Sequence, residues 1–375
     1  MAETMAFSWW DIPGPYRFVS RVENDLRDRV NVVAALPTGL GREWFNFFRR
    51  RWSDDQERID VLHLSAESGS PLDELCGTFT THPVGTMTIR TLVQEKEFCG
   101  RTIGIVLDSK ESVKNWMEFL LAYQRECRFI EVLDRTVLLL ATEGVSPKLL
   151  PASATHLRVH IYEGFARPYD CYMYAWVLLG TEDKQAWRTD LKMAMCAQLA
   201  QWDPRVCEVL SDRDISSILE PGSYIRDLSA VLDTADELSD ADEGWAIGIL
   251  QRYDDQVIYH SGWLARDTLS QEFQRRVWTA QIQVIFPLIE RMRQQAIKRY
   301  GHRFRLPILV GDGEYVKDPY ELEISMVRRI VSRLDGIPKA VLHRLDQAWD
   351  FRNALAHLQP LTAQQLQSFE PSLDI

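Results

Sequence analysis

The chain has 375 residues, of which 46% are hydrophobic and 26% charged, and its formal net charge at pH 7 is −11. These values are ordinary for two or three folded domains and exclude extensive disorder. The apolar stretches are shorter than the roughly 20 residues that span a bilayer, and the first residues lack the pattern of a secretion signal. The sequence therefore predicts a cytoplasmic protein that does not contact a membrane.

Strands and helices alternate along the first part of the chain. Helices are predicted before and between the strands, at residues 18–27, 43–52 and 112–126. Continuous apolar runs predict five buried strands, at residues 30–35, 59–64, 102–107, 136–142 and 157–162. Because strands that are apolar on both faces alternate here with helices, we expect a parallel sheet covered on both sides.

After residue 167 the strand pattern fades. Residues 172–200 and 204–230 are predicted to be mainly helical, and residues 256–259 form a short predicted strand. Four further helices are predicted, at residues 269–299, 320–334, 339–358 and 362–369. The predicted fold class is therefore α/β plus all-α. Its three parts are a P-loop-like parallel-sheet domain at residues 1–165, a helical extension at 166–250 and a helical bundle at 265–375.

The charge is unevenly distributed along the chain. From residue 269 to residue 375, 15 Lys and Arg stand against 12 Asp and Glu, so this part is net positive while the rest is strongly acidic. A basic element in an acidic protein can attract a polyanion such as RNA. The alternative is an exposed helix face that pairs with acidic parts of the chain.

No metal site is predicted. The six cysteines are dispersed without C-x-x-C spacing, which excludes the usual zinc-binding patterns. His156 and His160 share one face of a predicted strand but have no third ligand in the sequence nearby.

The loop after the first predicted strand has the position of a phosphate-binding loop. Such loops use glycines so that backbone N–H groups wrap the phosphates, a Lys that reaches the β- and γ-phosphates, and a Ser or Thr that holds magnesium. Residues 36–43, LPTGLGRE, keep Gly39 and Gly41. Arg42 replaces the Lys and can still contact a phosphate. Glu43 replaces the Ser or Thr and places a negative charge where magnesium and triphosphate would sit.

Two polar residues at the ends of later strands complete this pattern. Asp108 ends the third strand, in the position of the acid that supports magnesium, and Thr142 ends the fourth, where a polar sensor is found. The order of parts resembles the AAA+/STAND class of P-loop NTPases, with an eroded loop, over about residues 13–230. This resemblance implies weak binding of ATP or GTP with Mg²⁺ at Gly39, Gly41, Arg42, Asp108 and Thr142. The alternative is a structural α/β scaffold without a cofactor.

The segment DFRNALAHLQP, residues 350–360, is the most informative in the chain. An Arg followed by a polar residue, with a His near the end of the same bundle helix, resembles the signature of HEPN domains, and the resemblance extends over about residues 269–375. It implies metal-independent RNA cleavage by Arg352, Asn353 and His357, often at a homodimer interface. A histidine exchanges protons near neutral pH, and an arginine stabilises the charged transition state.

Helical geometry constrains how these three residues act together. Asn353 and His357 are four positions apart and share a helix face. Arg352 is five positions from His357, which is about 140° around an ideal helix. The two side chains converge only if the helix loosens before Pro360 or if a second subunit completes the site. The alternative is that Arg352 and His357 brace the bundle without catalysis.

Together the two resemblances imply a regulated protein of phage-defence or toxin systems, in which a degenerate nucleotide-switch domain controls an RNA-cleaving bundle. The expected partners are RNA, a protein of the same system and a second copy of the chain. Two alternatives stay open. One is a non-catalytic scaffold that recruits partner effectors, and the other is a weak NTP-binding switch.

Overall fold

The computed structural model describes residues 7–54, 58–62, 64, 70–83, 85–107, 110–180, 186–220, 224–232, 240–266, 270–310 and 314–373. The chain divides into two compact units. The α/β unit comprises Met1–Asp170 and Leu232–His260, and the helical unit comprises Cys171–Val231 and Ser261–Ile375. In the part of the chain that is described, no helix has both the length and the apolar character needed to cross a bilayer.

The elements are numbered in chain order. The strands are β1 (Asn31–Leu36), β2 (Asp60–Leu62), β3 (Thr102–Leu107), β4 (Val137–Glu143), β5 (Leu157–Ile161), β6 (Leu250–Tyr253), β7 (Gln256–Tyr259), β8 (Ile308–Val310) and β9 (Glu314–Val316). The helices are α1 (Pro13–Arg27), α2 (Gly41–Asp54), α3 (Pro71–Phe79), α4 (Ile89–Leu92), α5 (Lys110–Cys127), α6 (Pro168–Leu179), α7 (Ala186–Ala200), α8 (Pro204–Ser211), α9 (Ile215–Ile218), α10 (Ile225–Ala230), α11 (Ala241–Ala246), α12 (Ser261–Leu264), α13 (Gln271–Tyr300), α14 (Ile324–Val331), α15 (Lys339–Ala356) and α16 (Ala363–Gln367).

The first five strands form one sheet in the order β2-β3-β4-β1-β5, and every neighbouring pair is parallel. All six residues of β1 are buried, as are all of β4 except its last. This burial explains why their sequences are continuously apolar. The predicted fold class, α/β plus all-α with a parallel sheet, is confirmed.

Helices cover both faces of this sheet. Helices α3, α4 and α5 pack on one face, where they bury β3 and β4 side chains such as Ile105 and Leu140. Helices α1 and α2 lie on the other face, where the rings of Phe18 and Trp44 meet at 5.6 Å. An added Cβ on Gly104 of β3 would lie 2.7 Å from the Phe45 ring, so glycine lets α2 approach the sheet closely.

The strand order places a topological switch point between β1 and β4. The chain leaves β1 toward the β2 edge of the sheet, whereas it leaves β4 toward the β5 edge. Connections that run in opposite directions lie on opposite faces when the crossovers are right-handed, so α2, which follows β1, and α5, which leads to β4, cover different faces. In open α/β sheets, ligands bind outside the carboxyl ends of the strands at such a point.

The helical unit is built around α13, which packs against α7, α14 and α15. The helix runs through Pro287 without ending. Thr362 caps α16, its side chain accepting a hydrogen bond from the Gln365 N–H. Helix α14 begins later than predicted, because residues 319–321 form a separate 3₁₀ turn. The hairpin β8–β9 was not predicted, because three-residue strands show no usable periodicity.

Candidate functional site

The loop between β1 and α2 lies at the carboxyl end of β1, at the switch point. Gly39 has a φ of +90°, a conformation that glycine adopts readily and other residues do not. Helix α2 begins at Gly41, so the backbone N–H groups of the loop and of the first helical turn converge. The structure thus brings Gly39, Gly41 and Arg42 together where the sequence predicts a phosphate-binding loop.

The carboxylate of Glu143, the last residue of β4, occupies this loop. The Gly39 N–H donates a hydrogen bond to Glu143 Oε1 at 2.5 Å, and the Arg42 N–H donates to Oε2 at 3.2 Å. A Cβ added to Gly41 would lie 2.7 Å from the same Oε2. The N–H groups that would surround a bound phosphate therefore hold an anion that belongs to the chain. Sequence reasoning missed Glu143, because its role depends on β4 lying beside β1.

A later segment of the same unit covers the loop. The carbonyl oxygen of Ala246, at the end of α11, accepts hydrogen bonds from the Thr38 N–H at 2.8 Å and from Thr38 Oγ1 at 3.2 Å. The Trp245 indole and the Gln251 amide both donate to the Tyr162 carbonyl, at 3.3 and 3.1 Å. The segment from α11 to β6 is thus fastened to the carboxyl ends of β1 and β5.

The other two residues predicted for nucleotide binding are placed differently. The Thr142 side chain is buried, and its hydroxyl has no hydrogen-bond partner among the described residues. Side chains alternate along a strand, so Thr142 lies on the face of Leu138 and Leu140, opposite Glu143. Asp108 lies outside the described residues. The β4 residue whose side chain reaches the loop is therefore Glu143, not Thr142.

The second predicted site is at the end of α15. Arg352 and Asn353 lie in its last two turns, and His357 is the C-cap residue, whose N–H donates to the carbonyls of Asn353 and Ala354, both at 3.1 Å. The chain turns away at Leu358, which has a φ of +60°. The His357 side chain is exposed, and that of Asn353 is half-buried. The His357 imidazole is therefore accessible from solvent.

Helix α13 fixes the end of α15 in place. The Trp278 indole N–H donates to the Leu355 carbonyl at 2.8 Å. The buried Gln281 amide bridges both backbone groups of Leu361: its Nε2 donates to the carbonyl at 2.9 Å, and its Oε1 accepts from the N–H at 2.6 Å. These bonds hold the turn that follows His357.

Arg352 lies away from His357, against a cavity of about 270 Å³ beside α13 and α14. Its Nη2 lies 3.4 Å from Glu323 Oε2, and both side chains are partly exposed to solvent. Of the described residues that line the cavity, Arg352 comes from the predicted site, while Asn353 and His357 are not part of the lining. Because α15 stays helical to Ala356, Arg352 and His357 leave it in different directions.

Comparisons with known proteins do not identify a family. No protein-family description matches the chain, and no curated protein is similar to it. Among solved structures, that of Drosophila ORC bound to GC-rich DNA and Cdc6 matches with a TM-score of 0.29 and 12% identity, over 95% of this chain and 68% of that one. Drosophila ORC bound to poly(dA/dT) DNA and Cdc6 gives the same score and identity, over 96% and 69%. Likeness at this level supports no conclusion about function.

Proposed function

We propose that this chain is a regulated, metal-independent endoribonuclease of a defence or toxin system, whose helical unit cleaves RNA with Arg352, Asn353 and His357. The observation that carries the proposal is the accessible imidazole of His357 at a helix end held in place by α13. Asn353 precedes it by one helical turn and can orient the ring. The resemblance of this segment to HEPN domains supports the same assignment.

The proposed reaction is attack of a ribose 2′-oxygen on the adjacent phosphorus. His357 removes the proton from the 2′-hydroxyl as the new P–O bond forms. Arg352 stabilises the negative charge that builds up on the phosphoryl oxygens. The P–O bond to the 5′-oxygen breaks, the leaving oxygen takes a proton from water, and His357 returns its proton to water. The products are a 2′,3′-cyclic phosphate and a 5′-hydroxyl, and no co-reactant is consumed.

Cleavage of single-stranded RNA by His357→Ala tests this proposal. Loss of the general base should slow cleavage about 10²- to 10⁴-fold, while the melting temperature changes little because the side chain is exposed. His343→Ala is the matched control, since it removes an exposed imidazole from the same helix. If His357→Ala cleaves RNA as fast as the wild type, the nuclease assignment is wrong and the alternative of a non-catalytic scaffold that recruits a partner effector takes its place.

For the α/β unit we propose a regulatory scaffold that does not depend on nucleotide. Glu143 satisfies the N–H groups of Gly39 and Arg42, so ATP or GTP with Mg²⁺ would first have to displace a carboxylate. A phosphate that approached without displacing it would meet like charge at close range, which is unfavourable. Weak nucleotide binding therefore requires the loop to rearrange, whereas the scaffold role requires no rearrangement.

A further inference from the structure

Arg293 of α13 holds one wall of the cavity beside Arg352, namely the turn that precedes α14. The Arg293 guanidinium donates to the carbonyl oxygens of Tyr320 and Leu322, both at 2.8 Å, and it also pairs with Glu290 one turn earlier on α13. The Arg293 side chain is only 14% exposed, so these bonds are largely shielded from water. The turn that precedes α14 is thus fixed against α13, and the cavity is preorganised for a ligand.

Two aromatic rings at this cavity are exposed to solvent. Phe286 is 39% exposed and Tyr320 is 52% exposed, and both contribute to the lining. Rings of this kind are the surfaces on which unpaired nucleobases stack in proteins that bind single-stranded RNA. The cavity volume of about 270 Å³ is of the order that one planar base requires.

Three carboxylates line the cavity, those of Glu290, Glu321 and Glu323; Glu290 pairs with Arg293, and Glu323 lies beside Arg352. Glu323 is 67% exposed, and its contact with Arg352 engages one carboxylate oxygen at 3.4 Å. A carboxylate accepts two parallel N–H bonds when they are offered side by side. Guanine offers such a pair, N1–H and the N2 amino group. Adenine and cytosine place a ring acceptor beside their amino group, and uracil flanks its N–H with two carbonyls, so these bases match a carboxylate less well.

We infer that this cavity binds an unpaired guanine of the RNA and thereby places an adjoining phosphate at Arg352. The inference rests on the proposed RNA activity and specifies the substrate of that site. The guanine edge takes the Glu323 carboxylate, its ring stacks on Phe286, and Arg352, released from Glu323, turns to the phosphate. RNA single strands that contain guanine are then the preferred substrates.

Binding of short RNA single strands to the full-length His357→Ala protein, which leaves the RNA intact, tests this inference. The probes carry one guanine, or one inosine that lacks the N2 amino group, in an otherwise identical adenine background. At fixed salt, fluorescence anisotropy should show about tenfold weaker binding of the inosine strand, because one hydrogen bond to a charged group is lost. Glu323→Gln should abolish that difference, and Glu314→Gln, an exposed acid on β9, should retain it.

Stacking is tested separately. Phe286→Ala should weaken binding of both strands about tenfold, since base–aromatic stacking does not depend on the base, whereas Tyr315→Ala, an exposed ring outside the cavity, should not.

The inference is overturned if the His357→Ala protein, in which Glu323 is unchanged, binds the guanine and inosine strands with equal affinity. If the wild type still cleaves RNA and His357→Ala does not, the proposed nuclease stands and only the guanine site is lost. Absence of RNA binding overturns the inference as well.

Discussion

At the scale of single residues, Glu143 determines what the loop after β1 can hold. Its two carboxylate oxygens accept hydrogen bonds from Gly39 and Arg42, where a nucleotide-binding domain would hold phosphate. Helix α2 begins at Gly41, and the positive end of its dipole favours an anion there. A side chain that supplies this anion internally stabilises the loop without any ligand.

Replacing Glu143 by Ala should open the loop to external anions. We expect the variant to melt at a lower temperature than the wild type, because two N–H groups lose their acceptor, and to regain stability in millimolar inorganic phosphate or ATP. The wild type should show no such response. Glu118→Ala, which removes an exposed acid from α5, serves as the control. The same phosphate response in wild type and Glu143→Ala would mean that the carboxylate does not occupy the loop in solution.

At the scale of elements, α13 fixes the geometry of the proposed active site. It buries Gln281 completely and uses both ends of that amide to hold the backbone of Leu361, four residues after His357. The same helix supplies Trp278 to the Leu355 carbonyl and Arg293 to the turn that precedes α14. One helix therefore holds both the turn that follows His357 and the turn that borders the cavity at Arg352.

Gln281→Ala should weaken the helical unit measurably. The change leaves a buried N–H and a buried carbonyl of Leu361 without partners, at a cost of about 2–4 kcal/mol in the free energy of unfolding. Gln283→Ala, which removes an exposed amide from the same helix, should cost far less. Chemical denaturation followed by circular dichroism measures both. Equal midpoints for the two variants would show that the bridge to Leu361 contributes little.

At the scale of the whole molecule, the divergence of Arg352 and His357 favours a site shared between two copies of the chain. Helix α15 does not loosen before its C-cap, so the condition under which a single chain brings the two side chains together is not met. A two-fold homodimer through the helical unit would pair Arg352 of one copy with His357 of the other. Such a dimer contains two equivalent composite sites.

Mixing two inactive variants tests the shared site. Arg352→Ala and His357→Ala should each be inactive alone, while subunit exchange between them should restore about a quarter of wild-type cleavage, because half of the dimers carry one intact site of two. Cleavage is measured after co-refolding or co-expression, and size-exclusion chromatography confirms that exchange has occurred. Mixed dimers with no activity would place the complete site within a single chain.

The sequence predicts the sheet well because its strands are buried on both faces. Five apolar runs suffice to identify β1 to β5, and their alternation with helices suffices to predict that these strands are parallel. Short elements such as α3, β6 and the β8–β9 hairpin escaped prediction, since three to nine residues show little periodicity.

Features that depend on distant pairings could not be read from local patterns. Glu143 reaches the loop because β4 lies beside β1, which no neighbouring residue encodes. Its position directly after an apolar strand was visible, but the strand order was not. In the same way, the sequence places Arg352 on α15, whereas its cavity is formed by residues that lie 28 to 66 positions earlier.

The segment from α11 to β6, which covers the loop after β1, is synthesised long after the sheet that it covers. Ala246 and Gln251 belong to the α/β unit, yet the ribosome reaches them only after the whole of residues 171–231 has been synthesised. At about 5–20 residues per second, the nascent sheet waits several seconds with its strand ends uncovered. During that interval the nascent chain exposes apolar side chains such as Ala35 and Ile161, against which Trp245 and Leu250 later pack. Chaperone dependence during translation should therefore be concentrated in this window.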